Sequence, residues 1–137
     1  MLYPIGIQNF EKMRTGGFVY VDKTAQIYKL AATGSYYFLS RPRRFGKSLL
    51  VSTMEAYFQG RKELFKGLAI EKLEKNWTAS PVLHLDLTWS RYTSVADLAG
   101  KFDQHLLAWE SQFGVTDRFE EPAARFAAVI EAAYRKV

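Results

Sequence analysis

At 137 residues the chain has the length of one domain with its own core, and 48% hydrophobic against 24% charged residues is ordinary globular composition. That balance excludes disorder and a membrane protein, and the absence of cysteine excludes disulfides, thiol catalysis and cysteine-bound zinc. The net charge of +5 is local, because Arg41, Arg43, Arg44 and Lys47 alone supply four positive charges. A general nucleic-acid binder spreads its cations along a face or groove, whereas one tight cluster suits a compact anion.

No apolar run approaches the roughly 18 residues of a membrane helix. The opening stretch MLYPIGIQNFEKM has neither a basic start nor a continuous apolar segment, so no secretory signal is read. A cytoplasmic protein without a membrane partner is expected. His84 and His105 lie too far apart in sequence to form a metal-binding spacing.

In chain order, Gly16-Gly17 supplies a turn and Phe18-Val19-Tyr20-Val21 reads as a strand. Asp22 stands at a helix N-cap position, Ile27, Leu30 and Ala31 give the next segment an apolar side, and Gly34 ends it. Tyr36-Tyr37-Phe38-Leu39 reads as a buried strand, short and almost wholly apolar. After the basic loop and Gly46, the spacing of Leu50, Met54, Tyr57 and Phe58 predicts a helix closed by Gly60.

Short helical pieces and turns are expected over 63–77. Pro81 opens a third strand, Val82 to Leu87. Asp97 is read as the cap of a long helix bearing Leu98, Phe102, Leu106, Trp109 and Phe113, and a last helix carries Phe119, Ala123, Phe126, Ile130 and Tyr134. This order predicts an α/β domain with a mainly parallel sheet flanked by helices, binding its ligand at the strand ends, where the basic loop sits.

That loop, SRPRRFGKSLL from Ser40 to Leu50, matches the second half of the phosphate-binding pattern G-x-x-x-x-G-K-[ST]. In such a loop the backbone N–H groups and the helix N-terminus face the phosphates. Gly46 would let the backbone come close, Lys47 would reach the terminal phosphates, and Ser48 would offer its hydroxyl to Mg²⁺. The first glycine of the pattern is replaced by Arg41, and Pro42 removes a donor, while Arg43 and Arg44 add forked donors for phosphate oxygens. From the residues alone, a phosphate site, a basic surface turn and a nucleic-acid patch all remain open.

The stretches PIGIQNFEKMRTGGFVYVDKT, YYFLSRPRRFGKSLLVSTMEAYFQG, ELFKGLAIEKLEKNW and PVLHLDL together resemble the predicted AAA-ATPase-like family of bacterial proteins. The run SRPRRFGKS resembles that family's own form of the loop, including the missing first glycine. The resemblance implies a P-loop NTPase fold, with residues 1–137 as the N-terminal part of a single domain. It implies ATP and Mg²⁺ as ligands and Arg41, Arg43, Arg44, Phe45, Gly46, Lys47, Ser48 and Leu49 as the nucleotide-contacting set, with Lys47 the catalytic cation and Ser48 the metal ligand.

It also implies that Asp22-Lys23-Thr24 is a signature near the nucleotide. Many full-length relatives carry a nuclease-like C-terminal region, which implies a nucleic-acid partner for the longer protein. The family's acidic metal-binding strand is expected after Tyr134, where this sequence ends at Arg135-Lys136-Val137, so ATP hydrolysis is expected of a longer protein. The alternatives are a non-hydrolysing nucleotide-binding module and a nucleic-acid-binding protein using the Arg-rich loop.

The remaining candidates have plainer readings. Asp86 ends an apolar strand as a metal-binding acid would, but Leu87 stands where a second carboxylate is usual, and a capping role is preferred. His84 is read as a core or solvent-facing residue, and His105 as exposed. The aromatics follow helix and strand periods and are assigned to the core, with Trp89 set apart. Glu71, Glu74, Glu120 and Glu121 read as solvated faces, and Asp22 as a helix cap.

Overall fold

The computed structural model describes residues 1–88 and 91–137. It divides into two compact units, Met1–Val82 and Leu83–Val137. Trp89 lies outside the described residues.

The first unit starts from a short helix, α1 (Phe10–Thr15), whose Asn9 side chain accepts the Lys12 N–H at the N-terminus. The sequence reading passed over this helix. Next comes α2 (Thr24–Thr33), ending at Gly34 as expected, and then α3 (Lys47–Phe58). The stretch after α3 folds into a 3₁₀ turn, Lys62–Phe65, and a short helix α4 (Ala69–Leu73), within the span where short pieces were anticipated.

The core of this unit joins elements distant in sequence: Phe10, Ile27, Leu64, Phe65 and Ile70 are all buried. The rings of Phe10 and Phe65 stand 4.8 Å apart, and Tyr20 meets Phe10 edge-on at 5.3 Å. Burying each such side chain contributes about 1.5–3 kcal/mol. Polar bonds fix the register of α1 against the rest. The Phe10 N–H donates to the Ser52 hydroxyl on α3 (3.0 Å), and the Arg14 guanidinium donates to the carbonyls of Leu64 (2.7 Å) and Lys66 (2.6 Å).

The second unit pairs two helices, α5 (Val95–Phe113) and α6 (Pro122–Arg135). Asp97 was expected to cap α5. Ser94 does so instead, and Asp97 sits three residues on, completing a reciprocal capping box with the Ser94 backbone. Pro122 opens α6, so Phe119 precedes the helix. Leu106, Trp109 and Phe113 on α5 pack with Val129 and Ala133 on α6. Arg125 on α6 reaches back to Glu110 with two bonds of 2.8 and 3.0 Å and also pairs with Asp103.

The expected α/β architecture is not what the chain forms. Among the described residues the elements are helices, and a single isolated parallel bridge joins Leu2 to Phe18, with the Val19 N–H donating to the Leu2 carbonyl (2.9 Å). The mainly parallel sheet is therefore corrected to a helical arrangement. Its three expected strands, Phe18–Val21, Tyr36–Leu39 and Val82–Leu87, run without a ladder partner.

An apolar run signals burial, but a strand also needs a neighbouring backbone to take its N–H and C=O groups. Here helices fill the core in place of sheet layers. Tyr36–Leu39, expected to be buried, is exposed, with Tyr36 at 96% and Phe38 at 93%. None of the helices among the described residues is long and apolar enough to cross a membrane.

Candidate functional site

The basic loop closes on itself at the start of α3. Arg41 donates from its guanidinium to the Phe45 carbonyl (3.3 Å), and the Lys47 ammonium donates to the Arg41 carbonyl (2.8 Å). Two of the four cations thus staple the turn through its own carbonyls. Arg43 and Arg44 are exposed, and neither has an ion-pair partner among the described residues.

Two backbone positions shape this turn. Gly46 has φ of +79° and caps α3 from the left-handed region, where a Cβ is unfavourable whatever the space around it. Arg44 adopts φ of +66°, a conformation rare for a residue with a long side chain. From Gly46 the chain enters α3 directly, which leaves the N–H groups of Lys47, Ser48 and Leu49 without intrahelical acceptors. Ser48 is exposed on that first turn.

Beside the loop lies a cavity of about 380 Å³ within the first unit. Arg41, Phe45, Gly46 and Leu49 belong to its wall, whereas Arg43, Arg44, Lys47 and Ser48 lie outside it. The structure therefore splits the expected set in two: four residues at the cavity, four on the loop and helix start. Leu49 also packs against the buried cluster and accepts the Thr53 hydroxyl at its carbonyl (2.7 Å), so it serves the core as well as the wall.

The sequence reading missed the opposite side of the cavity. It is formed by Val19, Tyr20, Lys23, Gln26, Ile27 and Leu30, from the extended segment before α2 and from α2 itself. Burial pushes the Tyr20 hydroxyl above its ordinary value, with the Thr53 hydroxyl acting the other way. The one available signal was the Asp22-Lys23-Thr24 run.

In the structure that run has a mechanical role. One carboxylate oxygen of Asp22 accepts the Thr24 N–H (2.9 Å) and hydroxyl (2.6 Å), and the other accepts the Ala69 N–H at the start of α4 (2.7 Å). The Thr24 hydroxyl, fully buried, accepts the Ile70 N–H (3.1 Å). Burial alone would raise the Asp22 pKa, but the bonds from Thr24 and Ala69 outweigh it and hold the carboxyl below its ordinary value. Asp22 and Thr24 thereby tie α2 to α4 on either side of Lys23, the residue of the three that reaches the cavity wall.

Other expected sites resolve into structure. In the second unit one Asp86 oxygen accepts the N–H (2.9 Å) and hydroxyl (2.6 Å) of Thr88, an Asx-type turn whose bonds hold the carboxyl below its ordinary value. His105, expected to be exposed, is half-buried and meets the Asp86 carbonyl through Nε2 (2.9 Å). Glu74 is half-buried rather than fully solvated and accepts the Tyr57 hydroxyl (2.5 Å). The assignment of aromatics to the core holds for Phe10, Phe65, Trp109 and Phe113 but fails for Tyr36, Phe38 and Phe45, which are exposed.

Residues 4–137 match the family described as Predicted AAA-ATPase. The chain belongs to that family. It is 40% identical over 133 residues to a curated Azotobacter chroococcum mcd 1 protein named "Uncharacterized protein in vnfD 5'region". The alignment covers 96% of this chain but 26% of that protein, so the chain spans about a quarter of its relative's length. No solved structure matches.

Proposed function

We propose that this AAA-ATPase family chain binds ATP with Mg²⁺ through its Arg41–Leu49 loop, and that the longer protein containing it hydrolyses the nucleotide. The observation that carries the reading is Gly46-Lys47-Ser48 placed at the opening of a 12-residue helix, with Gly46 in the left-handed conformation and four cations around it. Helix amides without partners and a positive helix end favour a phosphate there.

In this reading Lys47 leaves the Arg41 carbonyl for a terminal phosphate oxygen, exchanging a partial negative charge for a full one. Arg43 and Arg44 add charge from outside. The donor set also fits Mg²⁺ brought in on the phosphates, an ion that keeps most of its shell as water and phosphate oxygen and needs few protein ligands. Ser48 would supply the protein oxygen, and the metal would neutralise charge on the phosphate chain. If the longer protein hydrolyses ATP, Lys47 and the helix amides stabilise charge on the transferring group.

Calorimetric titration with Mg·ATP tests the binding, and phosphate release by the longer protein tests the hydrolysis. Saturable binding supports the site. Binding without phosphate release would leave a nucleotide-binding module that does not turn over.

A second reading rests on the exposed Arg43 and Arg44, which have no ion-pair partner among the described residues: the loop grips nucleic-acid phosphates. It requires binding to DNA or RNA that falls steeply with salt, as released counterions dictate. Absence of Mg·ATP binding together with that salt dependence would select it.

A further inference from the structure

The second unit holds a cleft of its own, about 620 Å³ in volume, where the loop 114–121 leads from α5 into α6. Small-molecule sites fall in the range of roughly 300–1,000 Å³. The lining comes from the last turns of α5, from that loop and from Arg125 on α6, and includes no residue of the basic loop.

Four charged residues line the cleft, and they fall into two pairs of different character. Glu110 and Arg125 are committed to each other through their two bonds of 2.8 and 3.0 Å, with side chains only 16% and 13% exposed. They form a fixed, internally neutralised part of the wall. Asp117 and Arg118, in contrast, are exposed, and neither has a hydrogen-bond or ion-pair partner among the described residues. The loop thus brings an anion and a cation to one cleft without letting them pair with each other.

The apolar part of the lining is also unanswered. Leu107 stands beside the buried Leu106 on α5 but is itself 56% exposed, and Phe119 is 45% exposed. The four charges sum to zero, so the cleft as a whole favours neither a net anion nor a net cation. It suits a ligand that carries one charge of each sign on an apolar body.

We propose that this cleft binds a free α-amino acid with an apolar side chain. The ammonium group meets the Asp117 carboxylate, the carboxylate takes the forked donors of Arg118, and the side chain lies against Leu107 and Phe119. This site is separate from the basic loop and does not depend on the phosphate reading.

The test titrates the chain with four probes by calorimetry: L-phenylalanine, phenethylamine, 3-phenylpropionate and glycine. The two phenyl analogues each lack one charged group, and glycine lacks the apolar body. The same titrations are run on Asp117→Asn and Arg118→Gln, with thermal melting to check folding. Both variants should fold, because neither side chain is bonded in the parent.

The parent should bind phenylalanine at least about tenfold more tightly than any of the other three, since each of those forfeits a charge-assisted bond or the apolar contact. Asp117→Asn should weaken phenylalanine and phenethylamine by about tenfold and leave phenylpropionate unchanged, and Arg118→Gln should weaken phenylalanine and phenylpropionate while sparing phenethylamine. Absence of saturable phenylalanine binding at millimolar concentration overturns the proposal. So does an analogue or glycine that binds as tightly as phenylalanine, or phenylalanine affinity that survives in either folded variant. The comparison of probes on the parent stands even where a variant fails to fold.

Discussion

Replacing Lys47 by alanine separates a ligand-facing residue from a structural one. The side chain is exposed and makes one hydrogen bond, to the Arg41 carbonyl at 2.8 Å, so its loss should change stability by no more than about 0.5 kcal/mol. For the ligand the balance differs. A bond from an ammonium to a phosphate oxygen contributes about 1.5–3 kcal/mol, and the parent gives up the exposed Arg41 bond, no more than about 0.5 kcal/mol, to make it. The net loss in the variant is about 1–2.5 kcal/mol, a rise in Kd of roughly 5- to 60-fold. Calorimetry with Mg·ATP reads the affinity and urea unfolding reads the stability. Loss of folding, or an unchanged Kd, would refute the argument, the first by making Lys47 structural and the second by placing it off the phosphates.

Three further substitutions probe other parts of the chain. Ser48→Ala should weaken Mg·ATP more than ATP with the metal chelated, and equal effects would make Ser48 only a helix-start residue. Asp22→Asn keeps an acceptor for Thr24 but loses the anion that Ala69 and Arg14 favour. Because the folded pKa of Asp22 is lowered, its contribution is present above the unfolded value of about 3.9 and is lost as pH falls below it. The parent should therefore lose its stability advantage over Asp22→Asn as pH falls below about 4, as followed by urea unfolding across pH, and a constant difference would sink the assignment. Arg125→Ala leaves Glu110 and Asp103 without their shared partner and should destabilise the second unit by about 1–3 kcal/mol in the same assay. Arg125→Lys should recover only part of this, since one ammonium cannot form the paired bonds to Glu110.

Helices were legible wherever an apolar stripe met a recognisable end. Gly34 and Gly60 mark the ends of α2 and α3, and the stripe through Leu106, Trp109 and Phe113 survives as the buried face of α5. Strand prediction failed because Tyr36–Leu39 and Val82–Leu87 announce only apolar character, while pairing depends on a distant backbone that no local pattern specifies. The missed α1 shows the opposite limit. Six residues are too few for a helical stripe to stand out, yet Asn9 ahead of Phe10 and Met13, both buried, is a cap and an apolar pair in the right register.

The site was half legible for a related reason. A loop motif is local, so Arg41 to Leu49 could be named from one stretch of eleven residues, but a cavity is assembled from segments that sequence spacing cannot bring together. Lys23 illustrates the gap. Its neighbours Asp22 and Thr24 spend their polar atoms on α4, which explains the run as a clamp without giving Lys23 any local task. Lys23 stands between two fully engaged polar residues, at the wall of a cavity that also contains Arg41 and Gly46, which leaves its ammonium available to an anion in the proposed reading. The same economy runs through the loop, where Arg41 and Lys47 bond to backbone carbonyls and Arg43 and Arg44 face outward. Arg41 and Lys47 hold the turn in its present shape with weak acceptors, and in the proposed reading a phosphate would offer those same donors a stronger one.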